Sequence, residues 1–206
     1  MAVVSNGTTI IDAGALGSGV PTGKMILIKT LTASSSANLS FVDGAASVVL
    51  DDTYDSYVFK FINIHPVTNA ADFTFQADTG TNTNYNIAMT TTAFRSIHTE
   101  DDATAVLNYD GGRDQAQGTA FQKLAHEIGN GNDECSSGEL KIFSPSSGTF
   151  VKHFMAKVNI YASEDHSENK FIAGYFNTTT ALTRFQFKMS SGNIDSGVIK
   201  LYGIGG

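Results

Sequence analysis

Several residue types that mark particular protein classes are scarce in this sequence of 206 residues. The single cysteine, Cys135, excludes an internal disulfide, a small disulfide-stapled scaffold and a zinc site built from several cysteines. No run of eighteen or more apolar residues occurs, so we predict no membrane-spanning helix and no membrane partner. The 13 Lys and Arg residues against 20 Asp and Glu residues give a net charge of −7, which argues against binding to nucleic-acid phosphates.

Charged residues are also few, because they make up only 16% of the chain. An average soluble domain has about a quarter. Tryptophan is absent and only three prolines occur, whereas the chain has 14 phenylalanines and 20 glycines. The hydrophobic fraction of 41% is sufficient for a buried core and excludes a disordered chain. A low density of charge leaves surface that neighbouring subunits could share.

From Met25 onward, apolar and polar residues alternate in short runs that are separated by turn-forming residues. Tyr57, Phe59 and Phe61 fall on one face of such a run, and Phe185 and Phe187 fall on one face of another. The pattern predicts strands over residues 25–31, 38–42, 54–64, 72–76, 85–90, 94–98, 103–109, 139–143, 149–161, 170–176, 182–189 and 198–204. Such a series predicts an all-β fold, an antiparallel β-sandwich of jelly-roll-like type.

Residues 119–128 fit two periodicities. Phe121, Leu124 and Ile128 have the spacing of one helix face, whereas Leu124, His126 and Ile128 alternate as in a strand. Periodicity alone leaves both structures open. We favour the strand because the neighbouring segments are all predicted to be strands.

The first 24 residues differ from the rest, since they combine short apolar pairs with Gly, Ser and Thr. We therefore divide the chain into an extended N-terminal arm, residues 1–24, and one β-sandwich domain, residues 25–206. An arm with so little charge is suited to anchoring or to contact with a neighbouring subunit.

Motifs that carry chemistry are incomplete in this sequence. Residues 19–24 end in Gly23-Lys24, but the first glycine and the Ser or Thr of a phosphate-binding loop are missing. His126 and Glu127 lack the second histidine of a zinc-protease helix. We predict no catalytic, metal-ligating or cofactor-binding residue, and no enzymatic activity. The oxygen-rich residues 130–134 predict a solvated hairpin loop, and whether this loop binds a cation stays open.

Four segments of the chain resemble a family of virion structural proteins of tailed bacteriophages, especially marine phages. The segments are LDDTYDSYVFKFINIHP (50–66), SGELKIFSPSSGTFVKHF (137–154), AGYFN (173–177) and FQFKMSSGNIDSGVIKLYGI (185–204). The resemblance extends over nearly the whole chain, and the second and fourth segments are its most specific parts. It implies a jelly-roll-like module of the kind found in phage fibres and capsid decorations.

This resemblance implies a non-enzymatic structural subunit, most simply a capsid decoration or a short head or tail fibre protein. The expected location is the virion, after synthesis in the cytoplasm of the host bacterium. The expected partners are copies of the chain, as a homotrimer, and other virion proteins such as the major capsid or tail proteins. One alternative is a glycan-binding module that reads a host-surface glycan. Another is a polysaccharide-degrading enzyme with two carboxylates across a groove.

Overall fold

The computed structural model describes residues 2–5, 7–12, 15–16 and 25–205. These residues form fifteen β-strands and no helix. The strands are β1 (Val3–Ser5), β2 (Thr8–Asp12), β3 (Ala15–Leu16), β4 (Ile26–Ser36), β5 (Leu39–Val42), β6 (Ser56–Pro66), β7 (Ala71–Thr79), β8 (Met89–Thr99), β9 (Ala105–Tyr109), β10 (Gln122–Ile128), β11 (Ser136–Phe143), β12 (Lys152–Ala162), β13 (His166–Phe176), β14 (Leu182–Met189) and β15 (Ile194–Ile204).

Strands β4 to β15 form one antiparallel sheet of twelve strands that branches at β12. We call the eight strands in the order β4-β15-β6-β11-β12-β13-β8-β9 the large sheet, and the four in the order β10-β7-β14-β5 the small sheet. The residue pair Ile128–Ala162 joins β10 to β12, so the two sheets meet in a nearly closed, barrel-like sandwich. The prediction of an all-β, antiparallel, jelly-roll-like sandwich is therefore confirmed.

Phenylalanines from both sheets fill the space between them. Phe187 of the small sheet lies 5.0 Å from the ring centre of Phe59 and 5.4 Å from that of Phe61, both on the large sheet. It also stacks on Phe73 of the neighbouring strand, at 5.9 Å. All four rings are almost completely buried. Burial of each such ring contributes about 1.5–3 kcal/mol to folding.

The alternation in the sequence places these rings correctly. Tyr57, Phe59 and Phe61 of β6 are buried together, as are Phe185 and Phe187 of β14. Strand β6 also ends at Pro66, where proline cannot donate a ladder hydrogen bond. The predicted faces of these two strands are confirmed.

Two other predicted strands agree with the structure only in part. Residues 122–128 form strand β10, so the strand interpretation of residues 119–128 is confirmed for that part. The predicted strand at residues 85–90 is wrong before Met89, where β8 begins. Tyr85 has a positive φ of 48°, and its backbone N–H donates to Asp78 Oδ2 at 2.8 Å. The Asp78 side chain thus satisfies the backbone N–H of Tyr85 in place of a strand partner.

The described part of the N-terminal arm forms a separate small sheet. Strands β1, β2 and β3 pair antiparallel with one another and with no strand of the sandwich. Val3 and Val4 are exposed, as is Ile11. Residues 19–24, with their partial phosphate-loop motif, lie outside the described residues.

Candidate functional site

Polar groups of the oxygen-rich loop at residues 130–134 form hydrogen bonds within the protein. The Glu134 carboxylate accepts a hydrogen bond from the Gly131 N–H, and the Asn130 amide donates to the Val67 carbonyl at 3.2 Å. Within the described ranges, no three His, Cys, Asp or Glu side chains come together in a way that could hold a metal ion.

A polar groove of about 480 Å³ lies beside this loop. Its acidic residues are Asp133, Glu134 and Asp195. Asp195 Oδ2 lies 3.4 Å from His65 Nδ1, and Glu134 is bonded within its own loop. Cys135 also borders the groove, and burial raises the pKa of its thiol. Two of the three carboxylates are thus already engaged by the protein, which is a poor arrangement for acid–base hydrolysis.

The strongest concentration of buried charge is an ionic quartet of Arg95, Asp110, Glu168 and Lys170. Glu168 and Lys170 both point inward from β13 and are almost completely buried. Lys170 Nζ lies 2.8 Å from Glu168 Oε1 and 3.0 Å from Asp110 Oδ2. Arg95 Nη1 lies 3.1 Å from Glu168 Oε2. Two cations and two anions balance, which is the condition for burying charge at tolerable cost.

The electrostatics of the quartet hold Asp110 ionised. Burial alone would raise the pKa of this carboxyl, but the hydrogen bond and charge of Lys170, with the charge of Arg95, hold the pKa below its ordinary value. The quartet is therefore a set of paired charges in which Asp110 stays a carboxylate near neutral pH.

His126 lies next to this quartet on β10. Burial and the nearby Arg113 guanidinium lower the pKa of its imidazole to about 4. Its Nε2 contacts Arg113 and lies 3.2 Å from Glu127 Oε1 and 3.8 Å from Asp72 Oδ1. This nitrogen is therefore already in contact with one guanidinium and close to two carboxylates. The arrangement favours a structural histidine over a catalytic one.

The quartet carried almost no signal in the sequence. Glu168 and Lys170 occupy inward positions of β13, where alternation normally places apolar residues. That anomaly was the only available sign. Their partners Arg95 and Asp110 come from β8 and the end of β9, far away along the chain, and only the sheet pairing joins them.

Outward-facing residues of β12 and β13 form a strip on the exposed face of the large sheet, termed here the outer track. The two strands pair without interruption over eleven residues, which corresponds to about 35 Å. Its side chains are aromatic, amide, hydroxyl, cationic or small, apart from the apolar Met155, and none is a carboxylate. Its five facing pairs are His153–Tyr175, Met155–Ala173, Lys157–Phe171, Asn159–Asn169 and Tyr161–Ser167.

Three grooves lie along the outer track. One of about 440 Å³ borders Asn159, Tyr161 and Glu100. Another, of about 260 Å³, borders Lys157 and Asn169, and a third, of about 390 Å³, borders His153 and Tyr175. Between the last two, Lys157 Nζ lies 5.3 Å from the centre of the Phe171 ring. The Asn169 Oδ1 atom is buried and accepts no hydrogen bond within the protein. The track thus combines an aromatic surface, a cation and an unpaired acceptor.

Beside the track, four lysines and one glutamate form a lysine flank on the same face. Lys200, Lys60, Glu139 and Lys157 follow one another across β15, β6, β11 and β12. Lys60 pairs with Glu139, and Lys141 lies two residues farther along β11 on that face. The flank has a formal charge of +3 in a chain whose net charge is −7.

Strand β9 forms one edge of the large sheet, and β4 forms the other. All five residues of β9 are exposed, and it pairs only with β8 among the described strands. Leu107 is 74% exposed and Tyr109 is 59% exposed, which is unusual for large apolar side chains in a sheet. Val106 is exposed on the opposite face. An edge that is apolar and uncharged is a template for pairing with another chain.

Comparisons of the chain with protein-family models, with curated proteins and with solved structures found no match. A search of the described residues likewise found no helix that is long and apolar enough to cross a membrane.

Proposed function

We propose that this chain is a non-enzymatic structural subunit that assembles with copies of itself through strand β9. The exposure of this edge strand is the observation that carries the proposal. Soluble proteins normally protect a sheet edge with charge, proline or a covering segment. Strand β9 has the sequence AVLNY and contains neither charge nor proline. A neighbouring subunit would supply the missing cover.

The arm supports the same proposal. A sheet of three very short strands is marginally stable by itself in water. Its Val3, Val4 and Ile11 side chains are exposed in the single chain. Contact with a neighbouring subunit would bury these apolar groups and hold the arm in place. We assign the arm to subunit contact for this reason.

The polar groups of the sandwich support a structural role over catalysis. The buried ionisable side chains of the quartet neutralise one another, and the His126 imidazole is in contact with Arg113. The grooves within the described part of the chain are shallow, and the acidic one has engaged carboxylates. Chemistry would need converging free groups in an enclosed pocket.

The finer assignment rests on the sequence resemblance alone. It places the subunit on a tailed-phage virion, as a capsid decoration or a short head or tail fibre, assembled as a homotrimer that faces outward. Major capsid or tail proteins would then be its other partners. Counting copies of the chain in purified particles would test this assignment and would separate a decoration from a tail component.

The assembly is tested by the mass of the full chain in solution. Light scattering at micromolar concentration should give a multiple of the 21.9 kDa chain, and a trimer if the finer assignment holds. Leu107→Lys should shift the mass to that of the monomer, because a charge on an edge strand opposes pairing. Thr81→Lys, in an exposed turn, is the matched control and should keep the assembly. A monomeric wild-type chain would contradict the proposal.

A further inference from the structure

We propose that the outer track binds a polyanionic polysaccharide, that is, a sugar chain carrying carboxylate or sulfate groups. This inference goes beyond assembly through β9, because the track lies on the face of β12 and β13 and not at the sheet edge.

The first argument is the regular placement of aromatic rings. Tyr175, Phe171 and Tyr161 belong to the first, third and fifth facing pairs of the track. Successive rings are therefore about 13 Å apart along the strands. Aromatic faces pack against the C–H faces of pyranose rings while sugar hydroxyls stay hydrated. Phe171 is stacked on Phe94 at 4.8 Å and has Lys157 over its ring, so Tyr175 and Tyr161 are the rings with a face to offer a sugar. Two such rings about 26 Å apart fit an extended polymer better than a compact ligand.

The second argument is the supply of hydrogen-bonding groups between the rings. Asn159 is held in place because its side-chain amide donates to Ser167 Oγ at 3.1 Å and to the Glu168 carbonyl at 3.2 Å. Facing it, Asn169 Oδ1 has no donor within the protein. A buried acceptor without a partner costs free energy unless a ligand or water satisfies it. A sugar hydroxyl in the adjoining groove of about 260 Å³ would do so.

The third argument is charge, and it selects the class of polysaccharide. No side chain of the track is a carboxylate, although Glu100 hydrogen-bonds Tyr161 at one end. The lysine flank, with its charge of +3, begins at Lys157 of the track and continues onto β11, β6 and β15. The remainder of this acidic chain repels polyanions, so this face is where they would be attracted. Lys60, Glu139 and Lys157 border the same groove as Asn169, and Lys60 is already paired with Glu139. Lys157 is therefore the cation placed to pair with an acid group on a sugar bound there.

The test measures binding of the full chain to alginate, dextran sulfate and neutral dextran by affinity electrophoresis. Either polyanion should retard the protein more than neutral dextran, and retardation should weaken with added salt. Alginate represents carboxylate groups and dextran sulfate represents sulfate groups, so the two arms identify the preferred acid. Equal retardation by neutral dextran, or none by any polymer, would overturn the proposal.

Variants separate a built site from general attraction between charges. Lys60→Gln with Lys157→Gln should weaken binding roughly tenfold. Tyr175→Leu keeps an apolar contact but removes the flat ring, and should weaken binding roughly fivefold. Lys188→Gln removes one charge from the small sheet and should have no effect. Binding that is insensitive to Tyr175→Leu and equally strong to single-stranded DNA would overturn the proposal. Leu107→Lys should still bind, so a failure of assembly is distinguishable.

Discussion

The interior of this sandwich has two regions that are stabilised by opposite means. Around Phe187, rings from both sheets pack against one another without any polar atom among them. Toward the β8–β13 side, the quartet of Arg95, Asp110, Glu168 and Lys170 fills the interior with paired charges. Burial by itself makes apolar side chains stabilising, whereas buried charges avoid a large free-energy cost only when each has an opposite charge as partner. The two regions should therefore respond differently to substitution and to pH.

The largest effect is expected from breaking the aromatic region. Phe187→Ala should lower the free energy of unfolding by about 4 kcal/mol, because it removes a fully buried ring and leaves a cavity. Urea unfolding followed by circular dichroism measures this loss. Phe150→Ala removes a ring that is 72% exposed and should change the stability by less than about 0.5 kcal/mol. Equal effects of the two variants would mean that the rings do not form the main core.

A somewhat smaller effect is expected from breaking the quartet. Lys170→Met should cost about 3 kcal/mol, because it leaves Glu168 and Asp110 with an uncompensated buried charge. Adding Glu168→Gln restores the balance of Arg95 with Asp110 and should recover part of that loss. If Glu168→Gln lowers the stability of the Lys170→Met variant as much as it lowers that of the wild-type chain, the two residues are energetically independent and the quartet does not act as one unit.

The smallest of the three effects is a pH dependence beside the quartet. The His126 pKa is about 4 in the folded chain and 6.5 in its ordinary state, so the unfolded chain binds the proton first as pH falls. The contribution of His126 to stability is complete above pH 6.5 and should decrease by about 2 kcal/mol towards pH 4.5. Urea unfolding at several pH values measures this slope.

His126→Gln should flatten that slope, whereas His98→Gln, at an exposed position, should leave it in place. The lowered pKa of Asp110 acts in the same direction but only in more acidic solution, since its ordinary value is 3.8. A slope that persists unchanged in His126→Gln would assign the pH dependence to the carboxylates instead.

The difference between the two interior regions also explains what could be predicted. Phe59 and Phe187 were placed correctly because alternation along one strand identifies the buried face. Tyr85 fits the same pattern and nevertheless lies outside any strand, where its φ is positive and its backbone N–H donates to the Asp78 side chain. Residues 122–128 satisfied two periodicities, and pairing of β10 with β7 selects the strand.

The candidate sites could not be predicted to the same extent. The sequence led us to expect no catalytic or metal-binding residue, and it drew attention to residues 130–134. The outer track depends instead on the register that sets Lys157 against Phe171 and Asn159 against Asn169. The edge position of β9 depends on the order of strands in the sheet. Neither property is contained in the composition or in local periodicity.

By itself, the sequence of this protein determined that it would be built of strands and which face of strands such as β6 and β14 would be buried. Those properties depend on a repeat of two residues, which is local to each segment. The tertiary structure alone decided which strands are neighbours, for example β6 with β11 and β8 with β13. These pairings join segments that are distant along the chain. They therefore determined which charges meet inside, which strands lie at the edges of the sheet and which side chains share the outer face.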